Sequence, residues 1–128
     1  MKAFVVNIEL ETIENRDYRR VLYTTPRTQL VLMNLKPGEE IGEKVHDLDQ
    51  FIRLEQGDGI AVLDGDTVEI PENSALIIPE GVRHNIVNTG HKDMRLYTIY
   101  TPPEHREGLV QKTKSDSVRE ALAGALRS

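Results

Sequence analysis

The residues able to do chemistry in this chain lie in two distant stretches. His46 ends a short polar run within PGEEIGEKVHDLDQFIRLEQG, residues 37–57, with Lys44 two positions before it and Gln50 four after. His84 sits in IIPEGVRHNIVN, residues 77–88. Each histidine lies beside a Pro/Gly turn and a β-rich segment, which suggests one site assembled from separate strands. Strand alternation sets Lys44 on the face of His46 and Glu43 on the other, so Glu43 turns inward only through a bulge. A lysine ammonium has three donors and no lone pair; while protonated it ligates nothing and repels a divalent cation. Its stem can lie along the mouth of a site with the amine in water or on a carboxylate. Desolvated, the same amine acts as a base or forms a Schiff base, which makes Lys44 a candidate catalytic residue.

Weaker candidates surround these. A regular strand through RLYTIY sets Tyr97 and Tyr100 on opposite faces; one hydroxyl enters the pocket, and Tyr97 is the candidate catalytic phenol. Gln29 and Met33 lie on a strand able to line a cavity. Arg83 should face outward. His91 and His105, in turn and tail segments, read as surface residues, and Asp47 and Asp49 as part of a solvated turn. No nucleophile elbow supports a Ser-His-Asp site, and no Gly-rich phosphate loop precedes a helix.

The elements that must position these groups are mostly short strands. QLVLMNL, residues 29–35, is an apolar run buried on both faces. Further strands are expected at about 4–8, 21–23, 43–46, 50–55, 59–63, 67–70, 75–78, 83–88 and 95–100, punctuated by Gly, Pro, Asn and Asp. Asp64-Gly65 is the best hairpin signal, because both residues accept positive φ. Many short strands at this spacing argue for an all-β sandwich or barrel rather than βαβ units. After Pro102-Pro103 the chain turns polar, and Ser115-Asp116-Ser117 reads as the cap of a short C-terminal helix with Val118, Leu122 and Leu126 at helical spacing. Gly124 weakens that helix.

The chain has 128 residues, enough for one core, expected as a single domain with its barrel over about 28–101 and the tail and helix over about 104–128. Without tryptophan the core must rest on Val, Ile and Leu. A formal charge of -5 argues against nucleic-acid or anionic-membrane partners, which call for basic patches. The absence of cysteine removes disulfides, thiolate metal sites and a Cys nucleophile, and fits a reducing compartment. MKAFVVNIELET lacks the apolar run of a signal peptide, and no later segment reaches transmembrane length; a cytoplasmic protein is expected.

The two histidine stretches together resemble the paired motifs of the cupins. Gly38, five residues, Lys44-Val45-His46, three residues, Gln50, six residues, Gly57 keeps the spacing of the first motif. Asn73, five residues, Pro79-Glu80-Gly81, two residues, His84, three residues, Asn88 keeps that of the second. LKPGEEIG, the His-x3-Gln-Phe run and TIYTPPEH are similar to small single-domain bacterial cupins. The resemblance implies an antiparallel β-barrel, the double-stranded β-helix or jelly roll, often dimeric. It also implies a divalent ion held by two histidines and a glutamate of the first motif and the histidine of the second. His46 and His84 match two of those positions, whereas Lys44 replaces the first histidine and Gln50 the glutamate. The ligand set it leaves is His46, Gln50 and His84, with Glu43 as a further carboxylate. Gln50 offers only a neutral carbonyl oxygen, and two imidazoles with one amide suit Zn, Ni, Cu or Fe better than a hard ion.

These features imply a divalent-metal-dependent enzyme (Zn, Mn, Fe, Ni or Cu) acting on a small polar or sugar-like molecule by isomerase, lyase or oxygenase chemistry. The alternative is a metal-free cupin that binds a small ligand or sugar without catalysis, with Lys44 holding an anionic group. A third reading is a dimeric module that has lost chemistry. A homodimer is expected because Val45 and Phe51 face away from His46 and Gln50, leaving apolar groups for a partner or an N-terminal strand to cover.

Overall fold

The computed structural model describes residues 1–127, and the side chains of residues 1–124. The elements are α1 (Ile8–Glu14), β1 (Arg19–Thr24), β2 (Gln29–Leu35), β3 (Asp49–Gln56), β4 (Gly59–Leu63), β5 (Asp66–Ile70), β6 (Ala75–Ile78), β7 (His84–Val87), β8 (Met94–Thr101), β9 (Val110–Gln111) and α2 (Lys114–Arg127). Among the described residues they form two sheets: a six-stranded one ordered β6-β3-β8-β2-β1-β9 and a three-stranded one ordered β5-β4-β7. Every strand pairing is antiparallel.

The sequence folds this way because its apolar residues alternate. In β8, Met94, Leu96, Thr98 and Tyr100 are buried while Arg95, Tyr97 and Ile99 are only partly so. β3 repeats the pattern with Gln50, Ile52 and Leu54 buried. Val31, Met33, Ile52, Leu54 and Leu96 of the large sheet share one core cluster with Ala61, Ile70 and Ile86 of the small one. The core therefore lies between the sheets, and alternation sends the odd-numbered residues of β3 to the outside.

Turn chemistry sets the register. Asp64 and Gly65 join β4 to β5 with φ of 48° and 87°, the paired positive angles of a tight hairpin. Gly57, the last glycine of the first motif, has φ 88°, and a Cβ there would lie 2.6 Å from the Asp93 carbonyl oxygen. Asn88, the last residue of the second motif, is 1% exposed. Its Nδ2 donates to the carbonyls of Leu35 and Lys92 at 2.9 and 2.8 Å, and its Oδ1 accepts from the Gly90 N–H at 2.9 Å.

Four expectations need correction. The segment expected as a strand at 4–8 instead leads into α1: Asn7 caps it through Oδ1, which accepts from the Leu10 N–H at 3.1 Å, and Glu9 and Glu11 fill the first turn. The segment at 43–46 makes only an isolated bridge between Lys44 and His84, because Gly42 at φ 107° breaks the strand before it. β9, inside the polar tail for which no strand is expected, pairs with the start of β1. The helix cap is Thr113, not Ser115: Thr113 Oγ1 accepts from the Asp116 N–H at 3.1 Å and Asp116 Oδ2 from the Thr113 N–H at 3.2 Å. Val118 and Leu122 remain substantially exposed on this helix, and the side chain of Leu126 lies outside the described residues. Among the described residues no helix is long and apolar enough to cross a membrane.

Candidate functional site

Three strands supply the floor of the site in one cross-strand row. Gln50 of β3 and Gln29 of β2 both stand opposite Tyr100 of β8. The opposing wall comes from β7, whose first residue is His84, and from the strand-like segment held to it by paired Lys44–His84 backbone bonds of 2.9 Å. Alternation along that segment turns Lys44 and His46 toward the same space. The tail after β8, with β9 and α2, supplies the third side. The cavity they line has a volume of about 600 Å³, within the roughly 300–1,000 Å³ of small-molecule sites.

His46, Gln50, His84 and Lys44 all line this cavity. The two imidazole centroids are 5.1 Å apart. His84 Nδ1 lies 2.9 Å from the Val82 carbonyl, an acceptor only, so Nδ1 donates, and Nε2 is the nitrogen that bears a lone pair in the neutral ring. His46 Nδ1 lies 3.3 Å from Glu104 Oε2, with the side chain 13% exposed. Burial first, then His84, Lys44 and Arg19, push the His46 pKa below its usual value. The lowered pKa disfavours the imidazolium, so the contact is a close approach of the two groups rather than an ion pair. Gln50 Nε2 donates to Thr98 Oγ1 at 3.0 Å, while its buried Oε1 has no partner among the described residues.

The other two sequence candidates lie elsewhere. Glu43 stays on the outer side, where its carboxylate takes Arg83 Nη1 at 2.7 Å and both side chains are largely exposed. Tyr97 is on the outer face of β8, its ring centroid 6.2 Å from that of Phe51. The phenol in the cavity is that of Tyr100, which is 2% exposed and whose pKa burial raises to about 12.

Several cavity residues escape sequence reasoning. Glu104 and His105 follow the Thr101–Pro102 bond and are pinned by Gln29, whose Oε1 accepts from the backbone N–H of Glu104 at 3.2 Å and of His105 at 2.9 Å. Gln29 Nε2 also donates to the His105 carbonyl at 2.7 Å. His105 is thus drawn from the surface into the wall, edge-on to Tyr100 at 5.4 Å, with its pKa lowered to about 3 by burial and by Arg19, His46 and Lys44. Arg19 and Lys114 also line the cavity. One sequence signal points to Arg19: it shares a strand face with apolar Val21.

These donors do not fit the divalent ion that the motif spacing implies. Among the described residues no group of three or more His, Cys, Asp or Glu could hold a metal ion. His46, His84 and Gln50 are neutral donors, and an ammonium stands at the fourth corner. The described lining holds four cations, Arg19, Lys44, Arg106 and Lys114, against two carboxylates, Glu104 and Glu120.

Comparison with known proteins agrees with this architecture. A family model described as "Cupin domain" matches residues 31–100, more than half of the chain. The chain is 43% identical over 124 residues to the uncharacterized protein YrkC of Bacillus subtilis, covering 91% of this chain and 67% of that one. It is 42% identical over 121 residues to the uncharacterized protein L612 of Acanthamoeba polyphaga mimivirus, covering 91% and 76%. The crystal structure of BH2720 from Bacillus halodurans superimposes with a TM-score of 0.90 at 41% identity, covering 92% of this chain and 95% of that one. The chain, an antiparallel jelly-roll barrel with a short C-terminal helix, belongs to the cupin family.

Proposed function

We propose that the barrel binds a small, polar, anionic molecule beside Lys44, His46, Gln50 and His84, without a resident metal ion. The observation that carries this reading is a charge inversion: a chain of formal charge -5 encloses a cavity whose described lining has more cations than carboxylates. Such a lining attracts an anion and repels a divalent cation. The His84 Nε2 and the His46 imidazole supply candidate bases on one wall, with the Glu104 carboxylate beside His46. The Lys44 ammonium can hold negative charge on the ligand. These groups support proton-transfer chemistry of isomerase or lyase type on a bound ligand.

A second reading, the metal-dependent enzyme, is favoured by one feature. His84 presents Nε2 with Nδ1 held by the Val82 carbonyl, His46 Nδ1 lies 3.3 Å from the Glu104 carboxylate, and Gln50 Oε1 is buried without a partner among the described residues. Metal-binding histidines are held in this manner.

Thermal unfolding of chelator-treated protein separates the two. Small carboxylates and sugar phosphates raise Tm, neutral sugars do not, and the rise shrinks in Lys44→Met. No rise with any anion, together with a rise on adding Mn, Fe, Ni, Cu or Zn, would favour the metal enzyme instead.

A further inference from the structure

Arg19 carries a permanent charge into the cavity wall. It opens β1, stands opposite Gln111 of β9, and is 6% exposed. Its Nη1 donates to Gln111 Oε1 at 2.6 Å and to Ser117 Oγ at 3.2 Å, and its guanidinium carbon lies 5.2 Å from the Tyr18 ring centroid. All three partners are neutral. Its Nε is buried and finds no acceptor among the described residues. The two carboxylates of the described lining are engaged elsewhere. Glu104 faces His46. Glu120 accepts from Gln111 Nε2 at 2.9 Å and lies 3.9 Å from Arg106.

A guanidinium cannot shed its proton to escape burial, as a lysine can. Withdrawing it from water without a counter-ion is unfavourable unless something else supplies the negative charge. A second cation sharpens the case. Lys114 Nζ sits 5.3 Å from the same Tyr18 ring, donating to Tyr18 Oη at 3.3 Å and to the Ile41 carbonyl at 2.8 Å. Burial, then Arg19, lowers its pKa. The charge of Arg19 is also felt by His46, Tyr100, Glu104 and His105. Arg19 and Lys114 thus set two cations at the α2 end of the cavity, and Lys44 sets a third beside His46.

We propose that Arg19 anchors an oxyanion: the ligand carries a carboxylate or phosphate that pairs with this guanidinium at the α2 end, while its polar remainder reaches His46 and His84. This rests on the anionic-ligand reading and adds where the charged group sits and how the molecule is oriented. A planar guanidinium matches the paired oxygens of either group, whereas an ammonium does not.

The test is a two-dimensional NMR titration of the 15N-labelled full chain. The Arg19 Nε–H resonance is identified by its loss in Arg19→Lys. Inorganic phosphate and sodium acetate are added separately, with chloride holding ionic strength constant. The expected result is a saturable shift of that resonance with at least one oxyanion. Response to phosphate alone assigns a phosphoryl ligand, and response to acetate alone a carboxylate. Affinity falls about tenfold or more in Arg19→Lys and stays within about threefold in Tyr97→Phe, on the outer face beside Phe51. The anchor is overturned if neither oxyanion gives a saturable shift, or if Arg19→Lys binds as tightly as the wild type. Saturable shifts at Lys44 and His46 without one at Arg19 would overturn the anchor and leave the anionic-ligand reading standing. No saturable shift at any cavity resonance would sink both. Should Arg19→Lys fail to fold, the Arg19 Nε–H resonance is assigned through its side-chain couplings in 13C,15N-labelled wild type, and the wild-type titration decides.

Discussion

At the scale of single residues, the site is defined by where protons and charges are not. His46 and His105 are both held below the ordinary histidine pKa, His105 to about 3, with burial the first cause in each. In the unfolded chain both take up a proton as pH falls below about 6.5, and in the folded chain they resist it. Their contribution to stability is therefore full above about pH 6.5 and declines as pH falls toward 5, by at most about 1.4 kcal/mol per pH unit for each group. Glu104, whose pKa burial raises, acts in the opposite sense closer to its ordinary value of 4.5, so the histidine effect is read above pH 5. Tm measured from pH 7.5 to 5 should fall, and His105→Phe, which can keep the edge contact with Tyr100, should flatten the decline; an unchanged slope would show that His105 does not contribute. His46, Gln50, His84 and Lys44 were legible because motif spacing and strand alternation fix which face each occupies. The sequence does not separate Tyr97 from Tyr100, because two residues on opposite faces of one strand look alike until the core side is known.

At the scale of elements, the strap after β8 decides how complete the cavity wall is. One side chain, Gln29, satisfies two backbone N–H groups and one carbonyl of Glu104 and His105. Gln29→Ala leaves those groups without their partner and should cost roughly 2–3 kcal/mol in denaturant unfolding. It should also speed amide exchange at residues 104–106, and unchanged exchange there would mean that Gln29 does not hold the strap. The strands of the barrel were readable in advance because alternation and Gly/Asp turns are local signals. Glu104 and His105 were not, since their positions depend on a bond to a residue more than seventy positions away. α1 was misread because Phe4–Ile8 is apolar and β-prone, while the Asn7 cap that starts the helix is a single-residue signal. β9 is two residues long and exists through its partner β1.

At the scale of the molecule, two surfaces differ in character. The outer face of the large sheet carries a cross-strand row of Ile77, Phe51, Ile99 and Leu30, with Ile77 73% exposed at edge strand β6. A second copy of the chain would cover it, as the outward placement of Phe51 leads one to expect. Sedimentation should give a dimer at micromolar concentration, and Phe51→Glu/Ile77→Lys a monomer with an unchanged fold; a monomeric wild type would contradict this. The interior of the barrel differs in sign from the whole, with net positive lining inside an acidic protein. Composition revealed only the acidic total, because Arg19 and Lys114 enter the cavity through β1 and α2, outside the motifs. The proposed metal-free site, with Lys44 and Gln50 at two of the four ligand positions, is the reading on which the rest depends. Its most direct test is the metal content of untagged protein after incubation with Mn, Fe, Ni, Cu and Zn and removal of free ions. The wild type should hold far less than one ion per chain, and Lys44→His/Gln50→Glu should approach one. Near-stoichiometric metal in the wild type, lost in His46→Ala/His84→Ala, would contradict the account.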